Sequence, residues 1–269
     1  MDVDARKKFR NVLLKAKGDE SIEKIKSVLT YPDKIYRYRS VDVRTLNALA
    51  ENKLYFSTSN YYDDPFDTYF HINKENIYTG DLKDLRNDMR KCFKSICFAE
   101  ESDNESLWLK YANNHSGFVL EYDVKNLCNK SSDCESDEYK KIAHFYPVIY
   151  TNSVYNATEF AVFILDSFSL TDEELNNKIL DSDFDVWEML RILLMKRKAH
   201  ADDNEWRLFG SSGSSISYVE IQPTKIILGL KISADDKKAV LMAAEKAGIE
   251  NIEQMIINDD DEFVAKPIK

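Results

Sequence analysis

Residues 34–68, KIYRYRSVDVRTLNALAENKLYFSTSNYYDDPFDT, restrict the fold more than any other stretch of this chain. Ile35, Arg37 and Arg39 alternate with Tyr36 and Tyr38, and a two-residue period puts both arginines on one face of a strand. Asp42 is a good N-cap, and Leu46, Leu49 and Ala50 follow at helical spacing. Residues 53–57 return to a strand that runs into Ser57-Thr58-Ser59. Pro65 has no backbone donor, so regular structure stops in the turn Tyr61-Tyr62-Asp63-Asp64-Pro65-Phe66-Asp67. Packing alone does not need this density of Arg, Tyr, Ser and Asp, so the stretch predicts a site as well as a fold.

The rest of the chain mixes strands and helices without regular β-α-β alternation. Residues 5–29 carry Phe9, Leu13, Ile22, Ile25 and Leu29 at helix-like spacing, interrupted at Gly18 and stopped by Pro32. Helices are expected over 73–95 (Leu82, Leu85, Met89), 106–113, 157–169, 175–198 and 234–247, the last ending at Gly248. Strands are expected at 95–98, 118–122, 146–150, 205–209, 216–221, 225–230 and 251–257; residues 126–138 read as a polar loop and 211–215 as a flexible turn. The expectation is a single α+β domain, with a mixed or antiparallel sheet core and helical insertions. Its parts are a helical lead-in at 1–33, a core at 34–257 and a solvated acidic tail at 258–269. There is no GxGxxG, no Walker loop and no internal repeat, so a Rossmann or P-loop nucleotide site is unsupported.

A net charge of −10 gives no reason to expect non-specific nucleic-acid binding. The run MKRKAH at 195–200 reads as a solvated helix end complementing the helix dipole. Cys92, Cys97, Cys128 and Cys134 form no CxxC, and the histidines are scattered, so a zinc site is not expected. The N-terminus has no apolar run behind its charges, and FAVFILDSFSL is too short to span a bilayer. The expectation is a cytoplasmic protein with reduced thiols and no membrane partner.

Four clusters could carry chemistry: Tyr36-Arg37-Tyr38-Arg39; Ser57-Thr58-Ser59 with Asp64-Pro65-Phe66-Asp67; Trp108, Tyr111, His115 and Gly117; and Asp203, Glu205 and Arg207. Each has a plain structural explanation. The arginines could be surface residues, the aspartates a turn, Trp108 and Tyr111 core, and Glu205 with Arg207 a surface ion pair on one strand face.

Taken together, the runs YRYR (36–39), FSTSNYYDDPFD (56–67), ICF (96–98), SLWLKYANNHSGFVLEYD (106–123), PVIY (147–150) and DNEWRL (203–208) resemble a bacterial and phage family known as a domain of unknown function, number twenty-nine seventy-one. That family usually reads Asn-Asp-Pro-Phe-Glu at 63–67 and Glu-x-Glu-x-Arg at 203–207; both departures here keep the carboxylate. The order strand with Arg, short helix, Ser-Thr-Ser strand and late acidic-x-Glu strand is also similar to the core of ADP-ribosyltransferases. This second resemblance implies that fold, with NAD as substrate. A guanidinium fork suits a pyrophosphate, and a carboxylate suits an oxocarbenium-like transition state.

The resemblance implies Glu205 as the catalytic carboxylate, helped by Asp203. It implies Arg37 or Arg39 on phosphate or ribose, Ser57 and Ser59 lining the pocket, and Tyr111 and His115 at the acceptor or ribose. Tyr38, Asp64, Phe66, Trp108 and Arg207 complete the expected contacts, with Tyr61, Tyr62 or Trp108 as an aromatic wall. It implies ADP-ribosyl transfer to a protein or nucleic-acid acceptor, or NAD glycohydrolysis, in phage defence or as a toxin-like effector. Two other readings stay open. One is a ligand-sensing or partner-binding module using the same cleft for a dinucleotide or other anionic ligand. The other is a metal-dependent nuclease using Asp63, Asp64, Asp203 and Glu205.

Overall fold

In the computed structural model, which describes residues 1–18, 20–62, 64–68, 70–73, 90–91, 94–132, 145–167, 171, 174, 186–210 and 217–268, the alternating run becomes strand β1 (Lys34–Arg39). Helices α1 (Val3–Leu13) and α2 (Glu20–Val28) precede it, split where Gly18 interrupts the pattern. The Asp42 carboxylate accepts from the Thr45 amide at 2.9 Å and starts α3 (Val43–Ala50). The expected strand at 53–57 is two short strands, β2 (Lys53–Tyr55) and β3 (Ser57–Thr58). A 3-10 turn at Ser59–Tyr61 and β4 (Phe70–His71) follow.

The middle of the chain supplies β5 (Lys94–Ala99), α4 (Glu105–Lys110), β6 (Phe118–Asp123) and α5 (Val124–Ser132). Next come β7 (Phe145–Pro147), β8 (Ile149–Tyr150), β9 (Tyr155–Asn156), α6 (Thr158–Ser167), α7 (Val186–Leu194) and β10 (Met195–Lys196). A 3-10 turn at Lys198–Asp203 leads to β11 (Glu205–Gly210), then β12 (Tyr218–Glu220), β13 (Lys225–Leu228), α8 (Ala234–Ala247), β14 (Ile252–Ile257) and β15 (Phe263–Pro267). Expectations for 74–89, 133–138, 175–185 and 211–215, and for Asp63, Cys92 and Cys134, lie outside the described residues.

The main sheet runs β15-β14-β13-β6-β1-β5-β11-β7, with β3 also paired to β5. All its pairs are antiparallel except β13 with β14, so the fold is α+β around a mixed sheet. One face carries Ile35, Ile96, Phe98, Leu120, Trp206, Leu208 and Ile226, packed with Leu49 of α3 and Val240 and Ala244 of α8. The other face carries Tyr38, Ala99 and Val119 against Leu107 and Trp108 of α4.

Three expectations change. Residues 124–132, which overlap the expected polar loop from 126 on, form a helix seated on the core through Val124 and Leu127. The run at 195–196 is a buried strand and not a helix end, because β10 pairs with β8 and draws Lys196 inward. Residues 258–262 are mostly exposed, as an acidic turn should be, but 263–267 return as the edge strand β15 along the whole of β14.

The lead-in is held by side-chain donors. Arg191 of α7 donates from Nε to the Leu13 carbonyl at 3.0 Å and from Nη2 to the Ala16 carbonyl, and Trp187 Nε1 donates to the Gly18 carbonyl at 3.0 Å. The Leu13 and Gly18 carbonyls also accept from the Ala16 and Ser21 amides, each at 3.2 Å, so Arg191 matters most to the Ala16 carbonyl just past α1. Replacing Arg191 by alanine removes one donor from the Leu13 carbonyl and the Arg191 donor from the Ala16 carbonyl, and should cost roughly 2 kcal/mol. Hydrogen exchange should rise in residues 3–28 while β6 and β13 stay protected. Equal loss of protection everywhere would contradict this local role.

The turn after α4 is also fixed. Asn113, Asn114 and His115 have φ of 47°, 55° and 68° in succession, a left-handed run that asparagine tolerates better than most residues. A Cβ on Gly117 would lie 2.2 Å from the Arg39 carbonyl oxygen, and one on Gly229 would lie 2.1 Å from that of His115. The turn therefore presses directly on the ends of β1 and β13, which holds Tyr111 at the rim described next.

Candidate functional site

β1 pairs with β6 along its whole length, and β5 pairs likewise with β11, but β1 meets β5 at a single residue pair, Tyr36 with Ala99. Beyond that pair the two strands separate. β3 closes the far end by pairing Ser57 with Ser95 and Thr58 with Lys94. The split is a cavity of about 260 Å³, and Arg37, Ser57, Asp64 and Glu205 all line it. Residues far apart in the chain meet there because the sheet places β11 next to β5.

One wall is acidic. Asn204, at φ 43°, turns the chain between the 3-10 turn and β11, and Asp203 and Glu205 on either side of it both line the cavity. Lys196 Nζ donates to Glu205 Oε2 at 2.7 Å and to Asp203 Oδ2 at 3.0 Å. Arg207 Nε donates to Glu205 Oε1 at 2.6 Å, its Nη2 to Asp67 Oδ2 at 2.6 Å and its Nη1 to the Leu193 carbonyl at 2.6 Å. Burial alone would raise the Glu205 carboxyl, but Arg207 and Lys196 outweigh it and hold it at about 2. Burial also works against the Lys196 ammonium, and there Glu205, Asp67 and Asp203 win and push it up.

Three buried carboxylates thus share two buried cations. The shortfall falls on Asp67, whose carboxyl burial pushes up and whose Oδ1 is buried without a hydrogen-bond partner. His200 extends the wall, with Nε2 3.2 Å from Asp64 Oδ2 and Nδ1 3.7 Å from Asp203 Oδ2.

Arg37 and Arg39 also line the cavity, but from the face of β1 that carries Ile35, and both line a smaller cavity beside Thr45, Leu49 and Leu120 as well. Arg37 Nη1 is buried with no hydrogen-bond partner, and among the described residues Arg37 makes no ion pair. Burial, then the neighbouring Arg39, lower the Arg37 guanidinium to about 10. Arg39 has some company, since its Nη2 donates to Thr45 Oγ1 at 3.2 Å beside Asp42. Cys97 lines the cavity too, 3.8 Å from the Tyr62 hydroxyl; burial and then Glu205 push its thiol up to about 12, so it is a poor nucleophile. At the rim stand Tyr36, Tyr61 and Tyr111, of which Tyr61 is 78% exposed.

Of the residues expected at the site, Arg37, Tyr38, Arg39, Ser57, Asp64, Tyr111, Asp203 and Glu205 line this cavity. Five are placed elsewhere. Ser59 is buried, and its hydroxyl donates to the Arg90 carbonyl at 3.0 Å, because the chain has already turned away from β5. Trp108 is fully buried, donating to the Ser102 carbonyl at 2.8 Å and packing edge-on against Tyr38. His115 stacks on Trp108, held there by the left-handed turn, and its imidazole is lowered by burial and then by Lys231. Phe66 lines a neighbouring cavity. Arg207 lies behind Glu205 as its partner.

Sequence reasoning missed Lys196, which ties Asp203 to Glu205. Its one available signal was its place directly after the apolar run 192–195, which fits a buried strand as well as a helix end.

The charge arrangement also bears on the nuclease reading. Asp203 and Glu205 already spend oxygens on Lys196 and Arg207, and among the described residues no three His, Cys, Asp or Glu side chains are placed to hold a metal ion. No described helix is long and apolar enough to cross a membrane. No curated protein and no solved structure matches the chain. Residues 107–208 match the family described as "Protein of unknown function (DUF2971)". The matched stretch contains most of α4, all of β6 and the Asp203–Arg207 segment, but not β1, β3, Asp64 or Asp67, so the Asp203–Arg207 part of the cleft is what is similar to that family.

Proposed function

We propose that the cleft binds a small molecule carrying a phosphate group and sugar hydroxyls, in its most specific form NAD, and that the protein acts on it by ADP-ribosyl transfer or glycohydrolysis on an ADP-ribosyltransferase-like fold. One observation carries this reading: Arg37, whose Nη1 is buried without a hydrogen-bond partner, and the ionised Glu205 both line a single cavity. A buried cation without a partner is costly and is satisfied by an anion. At about 260 Å³ the cavity is small for a whole dinucleotide, so it suits the nicotinamide-ribose end, with the remainder passing over the Tyr61 and Tyr111 rim.

In that reaction the bond between the ribose anomeric carbon and the nicotinamide nitrogen breaks. Its electron pair goes to the ring nitrogen and neutralises the pyridinium. The ribose is left with oxocarbenium character, and Glu205 stabilises that charge without taking a proton, since its carboxyl is held at about 2. Water or an acceptor nucleophile then bonds to the anomeric carbon and loses its proton to solvent.

A second reading, binding without chemistry, is favoured by the occupation of both Glu205 oxygens by cations. Calorimetry with NAD together with a nicotinamide-release assay separates the two. The enzyme reading expects binding and release, with release lowered at least ~100-fold in Glu205→Gln. Binding with no release selects the sensor. Neither binding nor release overturns both.

A further inference from the structure

We infer that the protein has a second small-molecule site, separate from the cleft, that takes a phosphate ester on Arg197. β8 and β10 are parallel, and the Thr151 amide continues their pairing by donating to the Lys196 carbonyl at 2.9 Å. Thr151–Ser153 and Arg197 therefore leave the two strands at the same end. A second cavity of about 260 Å³ opens there, bounded on another side by Phe66.

The Arg197 guanidinium carbon lies 3.5 Å from the centroid of the Phe66 ring. Stacking orders the fork but leaves its in-plane N–H groups unspent, and among the described residues they make no hydrogen bond or ion pair. No carboxylate lines this cavity among the described residues. Lys196 walls both cavities, but its ammonium is spent on Asp203 and Glu205, so Arg197 is the charge left for a ligand. Thr151 Oγ1 accepts from the Ser153 amide at 3.1 Å, which leaves its O–H as a donor beside the arginine. A fixed fork, a hydroxyl donor and no opposing anion match a phosphate, and the Phe66 and Val154 side chains offer apolar surface to its organic part.

Titration of the full chain with ribose 5-phosphate, and in parallel with inorganic phosphate, tests the site by calorimetry. In Arg37→Ala, which removes the cleft's proposed phosphate partner, ribose 5-phosphate should still saturate one site at least tenfold more tightly than free phosphate if the ester's carbon part is used; equal affinity would assign the site to free phosphate and overturn the ester. In that background, adding Arg197→Ala should weaken the ester at least tenfold, and adding Arg197→Lys nearly as much because it keeps the charge and loses the fork. A loss seen in Arg37→Ala and absent from Arg197→Ala would overturn the site and return the ligand to the cleft. Tighter binding of a single-stranded oligonucleotide than of the ester, lost in Arg197→Ala, would overturn the small-molecule assignment. Arg197 is exposed, so its variants fold.

Discussion

Arg207→Met should lower the melting temperature by about 10 °C. Arg207 is fully buried and its three donor nitrogens go to Glu205, Asp67 and the Leu193 carbonyl. Methionine fills much of the volume but leaves two buried carboxylates facing only Lys196. Breaking a buried pair from one side costs ~3–5 kcal/mol, and a chain of this length shifts by ~2–4 °C per kcal/mol. Adding Asp67→Asn to Arg207→Met should recover part of the loss, because it removes the carboxyl least well compensated in the native network. A shift under ~2 °C in the single variant would show that the network contributes little.

The acid dependence follows from Glu205. Its carboxyl is depressed to about 2 in the folded protein, so its contribution is present above its unfolded value of ~4.3 and is lost as pH falls through about 2. Asp67 is raised, so its contribution has the opposite sign: it is fully present at low pH and lost as pH rises. The gap between wild type and Arg207→Met should therefore narrow below pH ~4, because protonation removes the anion that the arginine was compensating. A gap that stays constant down to pH ~2 would mean that Glu205 is not the group that matters.

Much of the fold was legible where the signal is local. The alternation in 34–39, the Asp42 cap and the Gly248 stop each involve residues within a few positions of one another, and the elements formed where those signals put them. What a single chain does not display is which edges meet. The 53–57 run splits because Leu54 pairs with Val219 of β12 while Ser57 pairs with Ser95 of β5, two partners far apart in sequence. β15 was hidden for the same reason, since Phe263–Pro267 carries little hydrophobic pattern of its own and is ordered by pairing with β14. At the site, Arg37, Ser57 and Glu205 line one cavity as their types led one to expect, whereas Trp108 and His115 do not. An aromatic spaced for a binding wall is also spaced for a core, and here both rings pack behind Tyr38. Lys196 shows the converse error, a lysine dismissed as solvated that three carboxylates hold inside.

Arg37→Met should stabilise the protein and abolish binding in the cleft, two effects of opposite sign from one side chain. In the free protein the guanidinium is a liability: Nη1 is buried without an acceptor, and Arg39 adds like charge beside it. Methionine removes both penalties at similar length, which should raise stability by ~1–2 kcal/mol and the melting temperature by ~2–5 °C. A ligand phosphate loses the same group as its charged partner. A charge-assisted fork is worth ~3 kcal/mol, so affinity for NAD or ADP-ribose should fall ~100-fold. Arg37→Lys separates charge from shape: it keeps a cation but not the fork, and should recover a minor part of the affinity with none of the stability gain. A purely structural arginine predicts the reverse pattern, a lower melting temperature with affinity intact. Stability should rise even if NAD is the wrong ligand, because that effect belongs to the empty cleft, so a rise in melting temperature with no NAD binding in wild type would keep the anion site and discard only its proposed occupant.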